Sequence, residues 1–377
     1  MYRCFLRKCL RILLRIFYVF PVDRKKIVFC SFNGRQYSCN PKYIFEYILD
    51  SCPGEFRVVW ILDRPDPFFE RTRCYKRFSI GAVYTLLTAR FIMDNLGFPS
   101  YLPKRKEQCV INTWHAGGAY KRCTREAIGY PSAEWADMLY RGGCTDVILS
   151  SCAVFSKEIP DIFPGFCGRI AEFGLPRNDL FFYPEQMQKG AEKARSALGG
   201  VRGKVALYAP TFRGNSRDPE SWKMELSTDA IRDQLSHRFG GDFSVWVRFH
   251  PSQKAIYGTL PEGCVDVSGY PDMQELLCAA DILITDYSSS IWDYALTGRP
   301  CFLYTPDLES YQRKRGFYTP IEEWPGVLSV TEEELLDQIT KFDASEYRRH
   351  CQRHLEKMGS FEQGNACRYL TDLLLNP

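Results

Sequence analysis

The segment DILITDYSSSIWDYALTGRPCFLY (281–304) contains two short apolar runs separated by a helical pattern. The runs DILIT (281–285) and PCFLY (300–304) have the length and composition of buried strands, and IWDYALTG (291–298) lies between them. A strand, a helix and a second strand in this order predict a parallel pair joined by a crossover helix. The segment therefore predicts an α/β fold built on parallel sheets.

The same alternation of apolar runs and helical patterns continues through the chain from Lys26 onward. It predicts further strands at 26–32, 56–62, 90–95, 109–114, 145–150 and 169–174 in the first half, and at 204–209, 243–249 and 264–267 in the second. Asn40 followed by Pro41 predicts an N-cap and a helix that continues to about Asp50. The polar segment 184–203, which ends Gly-rich, is the predicted domain junction.

Two halves of this kind predict two Rossmann-like domains, at 23–185 and 200–377, after an N-terminal segment at 1–22. The length of 377 residues fits that division, since an ordinary domain has ~150 residues. Hydrophobic content of 45% and charged content of 25% exclude a disordered or fibrous chain. The net charge of +4 is modest, and the positive charge is concentrated at residues 3–26, so we predict no nucleic-acid partner.

The sixteen cysteines are scattered, without a CxxC pair or a Cys/His cluster at zinc-ligand spacing. A secreted disulfide scaffold would be short and dense in cysteine, whereas this chain is long and shows no cleavable leader. We therefore predict reduced, mostly buried thiols in a cytosolic compartment, no metal site and no cofactor.

Residues 1–20 differ from the rest of the chain because they combine many cations with large apolar residues and contain no acid. The cations are Arg3, Arg7, Lys8, Arg11 and Arg15, and most of them repeat every four residues along one helical stripe. The uncharged run 16–22 is far shorter than the ~20 residues of a spanning helix. The pattern predicts an amphipathic interfacial helix with its cations against anionic headgroups. A helix packed on its own domain is the alternative.

Polar residues follow the predicted strands of both halves at the point where each strand ends. In the second half these residues are Thr211, Arg213, Arg248, His250, Asp286, Ser288 and Ser289. Open α/β sheets bind their ligands beyond the carboxyl ends of the strands. We therefore predict that these side chains line one site.

The serine run 288–290 has two interpretations. Ser290 and Asp293 have the spacing of a capping box, so the run could simply cap the following helix. Free N–H groups at a helix start also bind anions, and the run has more serines than a cap needs. Asp286, just before the run, could cap a turn or hold a ligand hydroxyl.

Arg213 and His250 have structural alternatives as well. A planar guanidinium can bind a phosphate through two N–H groups, and a surface salt bridge is the alternative for Arg213. A single histidine is more often a satisfied structural residue, but His250 shares its sheet edge with Arg213 and the serines. An anion is therefore the predicted partner of this edge.

In the first half, the predicted strand 109–114 is followed by His115, a Gly-Gly pair, Lys121 and Arg122. A histidine can accept a proton from an attacking hydroxyl near neutral pH, and glycines let a ligand approach the backbone closely. A tight turn with an incidental histidine is the alternative. The GxGxxG, Walker and HExxH motifs are missing from the sequence, which removes the usual signatures of nicotinamide, P-loop and zinc-protease chemistry.

Several motifs together resemble the CDP-glycerol glycerophosphotransferase family of bacterial teichoic-acid and capsule synthesis. They are TWHAGGAYKR (113–122), GLPRND (174–179), LYAPTFR (207–213), RFHP (248–251), TDYSS (285–289) and DLESYQRKRGFY (307–318), in the family's order. The resemblance implies a GT-B arrangement, in which two Rossmann-like domains face each other across a cleft. It also implies a peripheral protein at the cytoplasmic face of the cell membrane.

The resemblance further implies a reaction and roles for single residues. Glycerol phosphate moves from CDP-glycerol to the hydroxyl of an acceptor, which is a teichoic-acid or capsule-type polymer or its lipid-linked primer, and CMP is released. His115 matches the histidine proposed as general base, and His250 matches the one that contacts the donor pyrophosphate. The substrate-binding residues that we predict are Thr211, Arg213, Arg248, Asp286, Ser288, Ser289, Lys121 and Arg315.

One departure from the family pattern concerns the acceptor. Many family members have TWHGTPLK where this chain has TWHAGGAYKR (113–122), so the sequence leaves the acceptor open. The protein could be a primase, a polymerase or a relative that uses CDP-ribitol. Outside the family, a GT-B glycosyltransferase using a nucleotide sugar or a non-enzymatic membrane adaptor would share parts of the pattern.

Overall fold

The computed structural model describes residues 2–64, 72–211, 213, 226–249, 260 and 262–376, without the side chains of residues 2 and 3. The chain forms two compact units. Unit 1 comprises Met1–Ala116, Cys123–Asp179 and Ser360–Pro377, and unit 2 comprises Gly117–Arg122 and Leu180–Gly359. Each unit is an α/β domain around a parallel sheet, as the sequence predicted.

The sheet of unit 1 is parallel, and its central strands are buried on both faces. The strands are β1 (Asp23–Cys30), β2 (Arg57–Ile61), β3 (Arg73–Tyr75), β4 (Ala89–Asp94), β5 (Cys109–Asn112), β6 (Val147–Ser150) and β7 (Arg169–Glu172). In the described residues they form one parallel sheet in the order β3-β2-β1-β4-β5-β6-β7. Along β1, Ile27 and Phe29 enter one apolar cluster while Val28 and Cys30 enter the other. Burial on both faces explains why these strands are continuous apolar runs in the sequence.

Helices cover both faces of this sheet. They are α1 (Tyr2–Leu14), α2 (Cys39–Ser51), α3 (Ile80–Thr88), α4 (Arg125–Ile128), α5 (Ser132–Cys144), α6 (Ala153–Ile162) and the returning α14 (Ala366–Leu375). Local capping starts several of them: the Ser79 hydroxyl accepts from the Ala82 N–H at α3, and Thr124 caps α4 in the same way. Ile44 and Ile48 of α2 share an apolar cluster with Leu370 of α14, so the last helix belongs to the core of unit 1.

Unit 2 repeats the arrangement with fewer strands. Its strands are β8 (Lys204–Ala209), β9 (Phe243–Val247), β10 (Cys264–Asp266), β11 (Ile282–Thr285), β12 (Cys301–Tyr304) and β13 (Val327–Ser329). In the described residues they form a parallel sheet in the order β10-β9-β8-β11-β12-β13. The helices of unit 2 are α7 (Pro184–Ala197), α8 (Thr228–Phe239), α9 (Met273–Ala279), α10 (Ser290–Ala295), α11 (Leu308–Arg315), α12 (Glu332–Lys341) and α13 (Ala344–Met358).

Each strand that the sequence predicted is present, with ends shifted by at most a few residues. Two strands were missed, β3 and β13, and both are edge strands of three residues. An edge strand pairs on one side and has little of its surface buried, so its sequence needs no long apolar run. The burial pattern of β3 is accordingly half-exposed throughout.

The division into units differs from the predicted domain bounds in three places. The segment 184–203, predicted as the junction, contains α7, which packs on α9 within unit 2. Residues 117–122 lie in unit 2 although they follow a strand of unit 1, and residues 360–377 return to unit 1. Composition marks polar surface, but it does not show which core a segment joins, and that is why these three assignments were wrong.

The two sheets share one topological feature that places the candidate sites. The strand order reverses beside the first strand of each sheet, between β1 and β4 in unit 1 and between β8 and β11 in unit 2. At such a reversal, called the switch point, the connecting segments leave in opposite directions and open a crevice at the carboxyl ends of the strands. We therefore expect the predicted site residues at the carboxyl ends of the strands beside the two switch points.

The N-terminal segment forms α1 and a 3₁₀ turn, Arg15–Val19, docked on unit 1. One stripe of the segment faces inward: Leu14 and Phe17 pack against the core of unit 1, and Arg11 donates to the Ser100 carbonyl at 2.7 Å. Arg7 forms an ion pair with Asp137. The predicted alternative, a helix packed on its own domain, is thus confirmed for this stripe. Within the described residues no helix has both the length and the hydropathy needed to cross a bilayer.

Candidate active site

The switch point of unit 2 carries a buried ion-pair network centred on Arg213. Arg213 Nη1 donates to Asp286 Oδ2 at 2.8 Å and to the Thr211 carbonyl at 2.7 Å. Its Nε and Nη2 donate to the two carboxylate oxygens of Asp307, at 2.7 and 3.0 Å. The guanidinium fork is therefore engaged by two carboxylates. The predicted alternative of a surface salt bridge is wrong because Arg213 and Asp286 are both buried.

Asp286 joins the loops that follow β8 and β11. Its Oδ1 accepts the Thr211 N–H at 2.8 Å and the Tyr287 N–H at 2.6 Å, while its Oδ2 accepts from Arg213. The side chain thus fixes the turn, which is one of the two roles that the sequence suggested for it. Because the two loops meet across the switch point, this carboxylate sets the shape of the crevice there.

Aromatic rings enclose the same network. The Arg213 guanidinium carbon lies 4.9 Å from the ring centre of Tyr287 and 5.2 Å from that of Tyr311, and the two rings stack at 3.7 Å. The Tyr287 hydroxyl donates to Asp307 Oδ1 at 2.9 Å. Burial alone would raise the pKa of Asp307, but the hydrogen bonds and charge of Arg213 lower that pKa below its ordinary value. Asp307 and Arg213 therefore stay ionised together at neutral pH.

Two buried polar atoms near this network have no hydrogen-bond partner among the described residues: Thr211 Oγ1 and Arg248 Nη1. Arg248 follows β9, and its N–H donates to the Tyr208 carbonyl of β8 at 2.9 Å, which keeps it at the same sheet edge. Burial lowers the pKa of Arg248 to about 10, although the nearby Asp272 and Tyr270 act in the opposite direction. Buried donors are normally paired, so these two are suited to an incoming polar or anionic ligand.

The serine run bends the chain into α10. Ser288 Oγ accepts from the Ser290 hydroxyl at 2.9 Å and from the Ser290 N–H at 3.3 Å. Ser289 occupies the N-cap position, but its side chain makes no capping bond. The carboxylate of Asp293 accepts from Gln274 Nε2 at 2.9 Å. An oxygen that already accepts two hydrogen bonds keeps its own proton for another acceptor, so the Ser288 hydroxyl can donate to a ligand.

The Gly-Gly pair after His115 packs against protein rather than against open space. A Cβ at Gly117 would lie 2.1 Å from Trp292 Cδ1, and Gly118 has a φ of +66°. Only glycine fits both conditions, since the first position has no room for a side chain and the second has a left-handed backbone. The close approach that the sequence predicted for a ligand is thus made by the Trp292 ring of α10.

Lys121 and Arg315, predicted as substrate-binding, are brought together in unit 2. Lys121 forms an antiparallel bridge with Phe317, and the Arg122 N–H donates to the Gly316 carbonyl at 3.1 Å. The last turn of α11 adds Arg313 and Lys314 next to Arg315. Phe317 stacks on Tyr311 at 6.0 Å between ring centres, which ties this basic strip to the Arg213 network.

His115 lies at the carboxyl end of β5 in unit 1, held by the neighbouring strand end. Its Nδ1 lies 3.1 Å from the Asn95 carbonyl oxygen. A carbonyl only accepts, so Nδ1 carries the proton and the neutral ring has its lone pair on Nε2. The Asn95 side chain binds the loop after β1 as well, accepting from the Phe32 N–H at 2.8 Å and donating to Ser31 Oγ at 3.1 Å.

Four residues that were not predicted as site residues shape the surroundings of His115: Asn95, Phe32, Asn40 and Arg177. Of these, Arg177 belongs to the GLPRND motif (174–179). Phe32 meets the imidazole edge to face at 5.7 Å. The backbone here is strained, because Phe32, Asn33, Cys39 and Trp114 have φ between +48° and +62°, four of the five such non-glycine residues in the described part of the chain. Each costs of order 1–3 kcal/mol and persists only where the surroundings enforce it. This cluster of strained residues is visible only in the structure, because the sequence does not specify their φ angles.

Some of the predicted features cannot be placed. His250 lies outside the described residues, as do most of the residues between β8 and α8. Among the residues that the structure describes, no three His, Cys, Asp or Glu side chains converge as metal ligands would. All sixteen cysteines lie in the described residues, where none of them forms a disulfide, and half of them are buried.

The sequence model of one family, described as CDP-glycerol:poly(glycerophosphate) glycerophosphotransferase, matches residues 12–376. The chain belongs to this family. The resemblance inferred from the motifs is therefore confirmed, and it extends over nearly the whole chain.

The sequence relatives of this family member include enzymes named for glycerol phosphate and enzymes named for ribitol phosphate. The chain is 29% identical to the teichoic acid poly(glycerol phosphate) polymerase of Bacillus spizizenii strain W23, over 99% of this chain and 98% of that protein. It is 31% identical to a polymerase of the same description from Bacillus subtilis strain 168. That match covers 87% of this chain but only 45% of the relative. The teichoic acid ribitol-phosphate primase of B. spizizenii is 29% identical, over 85% of this chain and 83% of that protein.

Solved structures support the same fold. The wall teichoic acid polymerase TagF matches with a TM-score of 0.82 and 26% identity, over 100% of this chain and 97% of that one. A UDP-GlcNAc 2-epimerase from Neisseria meningitidis matches at a TM-score of 0.50 and 11% identity, over 93% and 100%, which shows a shared fold alone. The predicted fold class, two Rossmann-like domains of the GT-B kind, is confirmed.

Proposed function

We propose that this family member transfers glycerol phosphate from CDP-glycerol to the hydroxyl of a polyol-phosphate acceptor and releases CMP. The family match over residues 12–376 supports the reaction class. The observation that carries the site is a pair of buried donors at the carboxyl ends of β8 and β9, Thr211 Oγ1 and Arg248 Nη1, which have no hydrogen-bond partner among the described residues. They lie where a sheet of this topology binds a nucleotide.

The proposed step is an in-line displacement at the phosphorus that carries the glycerol. The acceptor oxygen forms a bond to this phosphorus, and the bond from the phosphorus to the bridging oxygen breaks. CMP leaves with that oxygen and the bonding electrons, while the proton of the acceptor hydroxyl goes to His115 Nε2. Positioning and stabilisation of charge are the main demands of such a transfer, and fixed N–H and O–H donors meet them.

The roles follow from the geometry of each group. Arg248, Thr211 and the Ser288 hydroxyl hold donor phosphate oxygens, with His250 added because it matches the family motif. Ser289, whose hydroxyl makes no cap, is a further candidate. Arg213 and Asp286 shape the crevice rather than touch phosphate, because they bind each other and Asp307. The basic strip of Lys121, Arg122 and Arg313–Arg315 binds the anionic acceptor.

A CDP-ribitol donor is the second candidate, and the ribitol-phosphate primase among the relatives favours keeping it. The test uses purified protein with CDP-glycerol, CDP-ribitol or UDP-N-acetylglucosamine and a lipid-linked primer. Nucleotide release is followed by chromatography and the product by mass spectrometry. We expect CMP and a product heavier by glycerol phosphate. CMP release from CDP-ribitol but not from CDP-glycerol would make the protein a ribitol-phosphate transferase. UDP release would make it a glycosyltransferase.

We also propose that unit 1 docks on the cytoplasmic face of the membrane through the outer side of α1 and the turn after it. Phe5, Ile12, Leu13, Ile16 and Val19 are between 64% and 76% exposed there. The exposed Phe78 and Ile80 belong to the segment that leads into α3, which packs on the same turn. An exposed apolar face of this extent marks an interaction surface, and the exposed cations Lys8 and Arg15 within it suit anionic lipid.

The packing of α1 determines which residues can be changed to test membrane binding. Because Arg7 and Arg11 serve the packing of α1 on unit 1, replacing them would unseat the helix. Ile12→Ser with Leu13→Ser should abolish co-sedimentation with anionic vesicles, and Lys8→Gln with Arg15→Gln should weaken it and reduce its dependence on salt. Leu49→Ser, on the exposed end of α2, is the control. Sedimentation unchanged by the serine pair would reject this surface.

A further inference from the structure

We infer that Asn40 and Arg177 are positioning residues for His115, which they hold through its main chain. The inference rests on the proposed function, because it takes His115 as the group that accepts the proton. Both bind carbonyl groups of the short segment, residues 113–115, that presents the imidazole.

Three consecutive carbonyl groups are fixed in this way. Asn40 Nδ2 donates to the carbonyls of Thr113 and Trp114, at 2.8 and 3.0 Å. Arg177 Nη1 donates to the carbonyl of His115 at 2.6 Å. The two residues are also linked, since the main-chain N–H of Arg177 donates to Asn40 Oδ1 at 3.1 Å. Together they form a clamp over residues 113–115.

The clamp is buried and is itself anchored. Asn40 and Arg177 are almost completely shielded from solvent. Glu362, from the segment that returns to unit 1, accepts from the Leu175 N–H at 3.1 Å and from Asn178 Nδ2 at 2.9 Å. Both of these residues belong to the loop that carries Arg177. The returning segment therefore supports the clamp.

The clamp has a function because the backbone that it holds is strained. Trp114, directly before His115, has a φ of +52°, which costs energy for a residue with a side chain. Without the donors on residues 113–115 this segment would relax toward ordinary backbone angles. The ring would then lose its place against the Asn95 carbonyl, and a displacement of about 1 Å in a reacting group can cost roughly 10²-fold in rate.

The experiment is a double-mutant cycle between the clamp and the histidine. Arg177→Met is made in the wild-type background and in the His115→Ala background. Asn40→Asp is made in parallel, because it replaces the amide donor with a carboxylate oxygen and keeps an acceptor for the Arg177 N–H. Arg105→Met is the control, since Arg105 also donates to a carbonyl of unit 1, that of Phe20. The measurements are kcat, KM for CDP-glycerol, the pH profile of kcat and the melting temperature.

We expect Arg177→Met to lower kcat roughly 10- to 100-fold, with KM for CDP-glycerol changed less than about twofold. In the His115→Ala background the same change should have almost no further effect, because residues that act through one group are not additive. Arg177→Lys should restore part of kcat, since an ammonium can still reach one carbonyl.

The cycle separates three results. Equal losses in both backgrounds would overturn the inference, because the clamp would then act on something other than His115. Unchanged kcat in Arg177→Met and Asn40→Asp would overturn it as well. If His115→Ala itself keeps normal turnover, His115 is not the general base of the proposed function. The inference that the clamp positions it for catalysis is then overturned as well. Should Arg177→Met lower the melting temperature severely, the cycle with Asn40→Asp decides.

Discussion

Unit 1 and unit 2 have the same order of strands around their switch points but equip those points differently. In unit 1, hydrogen bonds to backbone carbonyls hold one imidazole, through Asn95, Asn40 and Arg177. In unit 2, charged side chains hold one another, in the network of Arg213, Asp286 and Asp307. The first arrangement presents an imidazole, whereas the second holds Arg213 and Asp307 in their charged forms, because the pKa of Arg213 is raised and that of Asp307 is lowered.

This difference matches two separate requirements of a transfer reaction, which are proton acceptance and phosphate binding. A proton acceptor must change its charge during turnover, so it should be held rigidly through its main chain and by a neutral carbonyl at the ring. A phosphate site must present constant positive charge and preorganised donors, so its supports should be ionic and buried. The predictions below test whether the two sites depend on those two kinds of support.

The largest effect is expected from His115. Replacing His115 with Ala or Asn should lower kcat by ~10²–10⁴-fold, the usual contribution of a general base, while CDP-glycerol still binds. Turnover is measured by CMP release, and donor binding by calorimetry. Normal turnover in both variants would place the base elsewhere and leave unit 1 without a titratable role.

Arg213→Met should mainly affect stability. It leaves Asp286 and Asp307 without their cation, and breaking a buried ion pair costs about 3–5 kcal/mol. Hydrogen exchange by mass spectrometry should therefore show faster exchange in β8, β11 and α11, with the peptides of unit 1 unchanged. The opposite result, native exchange together with lost affinity for CDP-glycerol, would return Arg213 to the phosphate contact that its motif suggested.

The pH dependence of stability should have opposite signs in the two units. Burial raises the pKa of Asp94 in unit 1 to about 6, although the Leu96 N–H and Arg141 oppose the shift. A raised pKa stabilises the fold below the unfolded value near 4, and this stability is lost as pH rises through 6. Burial lowers the pKa of His354 in unit 2 to about 4, against the Glu323 carbonyl bond that raises it. That group favours folding above its unfolded value near 6.5 and loses the effect as pH falls to 4.

Each of these two shifts corresponds to about 3 kcal/mol, at 1.36 kcal/mol per pKa unit. Asp94→Asn should consequently slow exchange in unit 1 at pH 7 and have little effect at pH 4. His354→Gln should flatten the loss of protection in unit 2 between pH 6.5 and 4. Parallel pH profiles of both units in the wild type would show that other groups dominate.

The smallest effect is expected from Arg248→Met. A hydrogen bond to a charged group contributes about 1.5–3 kcal/mol, so KM for CDP-glycerol should rise roughly 10- to 100-fold. Folding stability should be unchanged or higher, because the variant removes a buried donor that lacks a partner among the described residues. Arg195→Met is the matched control, since Arg195 already donates to the Val201 and Gly203 carbonyls. A loss of stability without a change in KM would make Arg248 a structural residue.

The strands and the family were predictable from sequence because they depend on local order. β8 is a continuous apolar run, KVALYA, and the structure has it at the predicted residues 204–209. Motif order along the chain sufficed to recognise the family. The edge strands β3 and β13 were missed because pairing on one side leaves little pattern to detect.

The supports of the site depend on partners far along the chain, which local patterns do not show. Asn40 was interpreted as an N-cap, yet Ser38 occupies that position and the Asn40 amide binds carbonyls more than 70 residues away. Arg213 was predicted to bind phosphate, and its partner Asp307 is 94 residues further along. In both cases the residue type was informative, but its use was decided by the tertiary fold.

The return of the chain to unit 1 has a consequence for biosynthesis. Asp179 caps α14 by accepting the Ala366 N–H, across 187 residues. At ~5–20 residues per second, a ribosome needs roughly 10–40 s to make the sequence between these two groups. During that time the nascent first unit lacks a helix that covers Ile44 and Ile48, while all of unit 2 emerges. The exposed core surface is a natural binding site for chaperones, and the vectorial order of synthesis makes completion of the first domain the last event of folding.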